Sequence, residues 1–199
     1  MIETNHIADL FEKYRSFRLS RDFYLRNPET VAKELIGKTI VRVCDNGIIA
    51  GIITETEAYL NQGDLASHSA VGLTSRNAAM FMEGGTIYVY KIYGMHFCVN
   101  VVTEESGNGS AVLLRALIPV HGIEKMSEYR GTNDIRKLCK GPGNLTKALG
   151  LDQSFDKKSF LSDEIFISSY NSLSNHVISV SKRIGITKSS ELELRFSLI

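Results

Sequence analysis

The stretch from residue 55 to residue 100 constrains the fold most. It reads ETEAYLNQGDLASHS, then SRNAAMF, then GGTIYVYKIYGMHFCVN. Residues 86–92 and 97–102 are short runs of β-branched and aromatic side chains, and Tyr93-Gly94-Met95-His96 between them is a turn. Upstream, Asp45-Asn46-Gly47 separates the runs 39–44 and 48–56, and an Asn-Gly pair supplies the positive φ angles that a tight hairpin needs. Two hairpins commit the chain to antiparallel pairing. Residues 111–117, 166–169 and 177–180 read as further strands. Helices are expected after Asn27, where Pro28 and Glu29 suit a first turn and Gly37 a stop, over 122–130, and after Gly141-Pro142-Gly143-Asn144. Residues 61–80 lack a period and read as a long loop. The expected fold is α+β: a single compact domain over 1–199 with a curved antiparallel sheet, surrounding helices and a protruding aromatic hairpin. Residues 1–20 are expected to form a helix or an arm.

A chain of 199 residues can bury roughly 70% of the surface it exposes when unfolded. It has no run of 18 apolar residues and no signal-like apolar segment after MIETNHIADLFEKYRSF, so no membrane partner is expected. The net charge of +1 neither suggests nor excludes nucleic acid. Two basic stretches stand out: Arg15, Arg18, Arg21 and Arg26, and then Arg136, Lys137, Lys140 and Lys147. Either is a solvated face or a local footprint for phosphates. Cys44, Cys98 and Cys139 fit neither a disulfide framework nor a zinc motif, and Cys98 reads as a small buried hydrophobe. Free thiols suggest a cytoplasmic protein.

The chemistry-bearing residues gather in the same stretch. Glu57 closes a strand on which, if it is regular, Ile53, Glu55, Glu57 and Tyr59 share one face. A pocketed carboxylate there could take a proton from water; a solvated strand end is the other reading. His68 could donate to a ligand or bond its own loop. Tyr88 and Tyr90 alternate as core packing alone would arrange them. Tyr93, before Gly94, has no evident core to fill and could act as a wedge. Asn100 among apolar neighbours must be hydrogen-bonded, and Arg115 within VLLRAL must be paired, with Glu57 as one partner. Gly141, Gly143 and Asn144 could expose amides to a phosphate or could simply turn the chain. No metal-ligand spacing accompanies His68. A polar, aromatic pocket beside an exposed hairpin suits the extraction of a nucleobase, and equally an ordinary buried hydrogen-bond network.

ETEAYL, the ASHS loop, SRNAAMF, GGTIYVYKIYGMHFCVN, VLLRALIP and GPGNLTKAL closely resemble, in order, blocks of the alkyladenine (3-methyladenine) DNA glycosylase family of the antiparallel-sheet type. The resemblance spans roughly residues 20–185. It implies a general base at Glu57 and an active-site arginine at Arg115. It also implies a base pocket of Tyr59, His68, Tyr90 and Asn100, and an intercalating residue at Tyr93. The implied function is a glycosylase without lyase activity, acting in base excision repair on alkylated purines in duplex DNA. The expected protein is a cytoplasmic, nucleoid-associated monomer without cofactor or metal; Lys91, the lysine near the motif, falls on the strand face opposite Tyr88 and Tyr90. The partner is double-stranded DNA carrying alkylated or deaminated purines. The alternative is a non-catalytic damaged-DNA-binding module on the same scaffold. Residues 189–194 depart from the family pattern, which speaks against close packing or substrate contacts at the tail but not against Glu57.

Overall fold

A computed structural model describes residues 2–199 except 46, 171, 174 and 175, with side chains from residue 8 onward. Asn46 of the first predicted turn therefore lies outside the described residues. The elements in chain order are α1 (Ile2–Ser16), α2 (Arg21–Tyr24), α3 (Pro28–Leu35), β1 (Thr39–Cys44), β2 (Gly47–Tyr59), β3 (Ile87–Ile92), β4 (His96–Val102), β5 (Ala111–His121), α4 (Ile123–Arg130), α5 (Ile135–Leu138), α6 (Pro142–Ala148), β6 (Ile165–Ser168), β7 (Ile178–Ser181) and β8 (Arg195–Leu198). Among the described residues the strands form one antiparallel sheet in the order β3-β4-β5-β2-β1-β6, and β8 joins β2 and β7 off that path. The expected fold class holds. Asn27 caps α3 by accepting the Glu29 N–H at 2.9 Å, as the sequence predicts. The loop after β2 contains two short 3₁₀ turns, His68–Val71 and Ala78–Phe81.

The alternating strand pattern sorts side chains onto two faces. On one face, Ile40, Ile49, Ile87, Val89, Val99, Val101 and Ile167 meet Val31, Ala32 and Leu35 of α3, Met126 of α4 and Leu145 of α6 in the main core. On the other face, Val41, Ala50 and Phe166 meet Tyr14 of α1 at the β1–β6 end. At the β3–β5 end the same face carries Tyr88, Val102 and Ala111 against Ala79 and Met80, with Tyr59 and Tyr90 packed on them. There the loop after β2, rather than a helix, covers the sheet.

Two bulges on the central strands correct the regular-strand reading of β2. The register runs Ile53↔Leu117, Glu55↔Ala116 and Thr56↔Leu114, which leaves Thr54 extra on β2 and Arg115 extra on β5. Ile53 and Ala58 both lie in the main core, which an unbroken period of two forbids. Ile53 therefore faces the helices, while Glu57 and Tyr59 face away from them. Thr56, on the helix side, donates its hydroxyl to the Ala32 carbonyl of α3 at 2.9 Å. The bulge on β5 likewise turns Arg115 out of an apolar run and toward the two glutamates. β5 also runs to His121, past the expected end at residue 117.

Candidate active site

Glu57 is fully buried. Its Oε2 accepts the Tyr59 hydroxyl at 2.9 Å and lies 3.3 Å from Nη1 of Arg115. Its Oε1 accepts the backbone N–H of Ile184 at 2.8 Å. An ionised carboxylate offers about four acceptor positions, so these three donors leave room for one more, such as a water. Arg115 also donates from Nε to Glu55 at 2.9 Å, and Arg195 of β8 donates to the same Glu55 oxygen at 2.7 Å. The sequence paired Arg115 with Glu57; in the structure Arg115 bridges both glutamates.

Above this network lies a cavity of about 350 Å³ lined by Tyr59, His68, Tyr88, Tyr90, Cys98, Asn100 and Arg115 among others. Its volume is at the lower end for small-molecule sites and suits one flat ring system. Burial, with the Glu57 charge beside it, holds the Tyr59 hydroxyl protonated, and burial does the same for Tyr88 and Tyr90. Tyr88 is a cavity residue that sequence reasoning assigned only to packing. Its hydroxyl lies 2.8 Å from Nδ1 of His68, whose ring packs edge-on to Tyr90 at 4.6 Å. Asn100 donates its side-chain amide to the Tyr88 carbonyl at 3.0 Å, across the β3–β4 register. Cys98 also lines the cavity, and burial pushes its thiol up to about 11, with the Tyr90 hydroxyl opposing; the thiol stays protonated and is a wall rather than a nucleophile.

Burial first, and then the Arg76 charge, lowers the His68 pKa below 6.5. The unfolded chain then binds a proton that the folded one refuses. His68 thus contributes stability above its unfolded pKa that is lost as pH falls through the folded value. His68→Gln should therefore flatten the fall of Tm between pH 6.5 and about 5, measured by thermal melts; an unchanged slope would reject this assignment.

Tyr93 stands at the cavity mouth, 88% exposed, with φ 48° beside Gly94 at φ 71°. Positive φ at two successive residues is what a turn of this tightness demands, and Gly94 meets it without strain. Pro142, the first residue of α6, also lines the cavity. Gly141 takes φ 92°, the Asn144 side chain turns back to the Lys140 carbonyl at 2.7 Å, and Gly143 packs against His96. The second hydrogen of the Asn144 amide and the backbone amides of the loop are the donors a phosphate could meet there.

The basic stretches fare differently. Arg15 and Arg18 pair with Asp163, Arg21 with Glu83 and Arg26 with Glu34, so the first is largely neutralised. In the second, Arg136 and Lys137 share Asp134, while no ion pair forms at Lys140 or Lys147 among the described residues. Lys140 bridges to Ala116, next to Arg115.

The tail packs closely from Leu194 onward, while residues 190, 191 and 193 of the divergent segment stay exposed. Leu194 and Phe196 enter the main core, Arg195 holds Glu55, and residues 184–186 line the cavity. Sequence reasoning also missed the pair Asp64–Arg183, whose side chains are fully buried.

The comparisons fit this geometry. The family model for methylpurine-DNA glycosylase matches residues 22–199. The chain belongs to the methylpurine-DNA glycosylase family. A Chlorobaculum parvum protein is 43% identical over 179 residues, 89% of this chain and 86% of its own length. A Methanoculleus marisnigri protein is 46% identical over 179 residues, 88% of this chain and 92% of its own. Both bear the name "Putative 3-methyladenine DNA glycosylase". In this glycosylase every residue of the predicted base pocket, Tyr59, His68, Tyr90 and Asn100, meets at one cavity, with Arg115 in its wall and Glu57 directly behind it.

Proposed function

We propose that the protein hydrolyses the N-glycosidic bond of alkylated purines, such as 3-methyladenine, in duplex DNA, with Glu57 as general base. The observation that carries this reading is a buried carboxylate, held by Tyr59, Ile184 and Arg115, behind an aromatic cavity with an exposed tyrosine at its mouth. Tyr93 fills the gap in the duplex when the damaged nucleotide turns out. The base enters the cavity between Tyr59, His68 and Tyr90, and the tyrosine ring faces attract a base made cationic by alkylation. With Tyr88 as donor to Nδ1, neutral His68 keeps its proton on Nε2 and can donate to the base edge. A water at the remaining acceptor position of Glu57 gives up its proton to the carboxylate. The water oxygen bonds to C1′, and the C1′–N bond breaks with its electron pair leaving on the base. A cationic alkylated base departs as a neutral molecule, so it needs no acid to protonate it. The negative carboxylate also stabilises positive charge developing on the sugar. No amine serves as nucleophile: Lys91 is exposed on the far face of its strand, over the Phe97 ring. The products are an abasic site and a free base, with no strand cleavage.

The test is free-base release from duplex DNA treated with a methylating agent. The wild type should release alkylated purine. Tyr93→Ala should lower release from duplex roughly 10- to 100-fold, the equivalent of one lost stacking contact, and affect single-stranded methylated DNA much less. Equal rates for Tyr93→Ala and wild type on duplex would rule out the wedge.

A further inference from the structure

The structure assigns Asp64 and Arg183 as a positioning pair that sets the geometry of Glu57 and of the base-stacking wall, an inference resting on the glycosylase reading. The two side chains are wholly buried, and their ends meet as a fork, Nη1 to Oδ2 at 2.6 Å and Nη2 to Oδ1 at 2.7 Å. Each partner then organises a different wall of the cavity. Asp64 accepts the N–H of Leu60 and of Ala66, both at 3.1 Å, which shapes the loop that delivers Ala66 and His68. Arg183 donates to the Ala58 carbonyl at 3.0 Å and lies over the Tyr59 ring at 4.6 Å. The next residue, Ile184, places its N–H on Glu57. One ion pair thereby locks Tyr59, the His68 loop and the backbone donor of the carboxylate to one another.

Stability alone does not account for such a pair. Desolvating two charges cancels most of their attraction, and an apolar pair of equal volume often does as well. Here the cost is raised further, because Nε of Arg183 is buried with no hydrogen-bond partner among the described residues. What an apolar pair cannot do is fix several backbone and ring positions by directional bonds. An error of about 1 Å in a catalytic group can cost roughly 100-fold in rate.

The experiment is single-turnover base release from methylated duplex, with duplex binding and thermal melts on the same samples. Arg183→Met and the double variant Asp64→Leu/Arg183→Met are compared with wild type and Arg183→Lys. The double variant removes both charges, so unlike the single one it leaves no unpaired buried ion. Folded variants lacking the pair should react roughly 10- to 100-fold more slowly, with duplex affinity within about threefold of wild type. Arg183→Lys should recover part of the rate, since lysine restores the charge without the fork. Wild-type rate in the folded double variant would overturn the positioning role. Absence of base release by the wild type would instead overturn the glycosylase reading.

Discussion

Glu57→Gln should abolish measurable base release, by roughly 10²- to 10⁴-fold, while leaving duplex binding intact. The substitution is nearly isosteric, and the geometry says how the fold absorbs it. The amide oxygen can still accept the Ile184 N–H, now at 2.8 Å. The amide nitrogen then falls where Oε2 met Tyr59 and Arg115. The Tyr59 hydroxyl can rotate to accept instead of donate, and Arg115 keeps its bond to Glu55. The cost to stability is therefore of the order of one or two strained hydrogen bonds, about 1–3 kcal/mol, and the protein stays folded. No carboxylate remains at the position of Glu57 to accept a proton from water. Tyr93 and the cavity rings are untouched, so the damaged base should still be extracted and held. Release assays and duplex titration on the same preparation distinguish this from unfolding. Release within threefold of wild type would remove Glu57 as the base; lost release together with lost binding would mean that the carboxylate shapes the pocket instead.

The same residues show how far the sequence can be read. The β3–β4 hairpin was legible because its signal is local: alternating β-branched and aromatic residues about a glycine turn. Arg115 was legible as an anomaly, one charge in an apolar strand, although its two partners were not both identified. The face of Ile53 was misread because bulges have no signature in a period-two pattern. ITETEAY alternates as well with an extra residue at Thr54 as without it, and the matching extra residue lies in β5. Asp64 and Arg183 were invisible for a different reason. Each sits in polar surroundings where a charge is ordinary, and only a contact across 119 residues makes the pair buried. The short β8 strand was missed because four residues beside a polar tail carry too little pattern. Its value comes from pairing with Glu55, Thr56 and Glu57. Local structure was thus readable where propensity and turn chemistry set it. The site depends on long-range pairing that displaces one residue on each of two strands.

Arg115→Leu should strongly destabilise the protein. Its side chain is 11% exposed and lies between Glu55 and a wholly buried Glu57. Truncation leaves Glu57 with two neutral donors and, among the described residues, no cation paired to it, and breaking a buried pair in this way costs about 3–5 kcal/mol. For a chain of this size that corresponds to a fall in Tm of roughly 6–20 °C. Glu55 suffers less, because Arg195 still reaches it at 2.7 Å. The origin of the loss can therefore be located by a second substitution. If an uncompensated charge on Glu57 is responsible, Glu57→Gln in the Arg115→Leu background should restore stability, although it costs stability in the wild type. Glu55→Gln in the same background should restore little. A coupling of about 1–3 kcal/mol of that sign, from thermal or denaturant melts of the four combinations of Glu57→Gln and Arg115→Leu, would place the burden on Glu57. Additive effects would mean that Arg115 contributes by filling space beside β2. The carboxylate would then hold its charge through Tyr59 and the Ile184 amide alone, and the tail segment 183–186, not β5, would be its principal support.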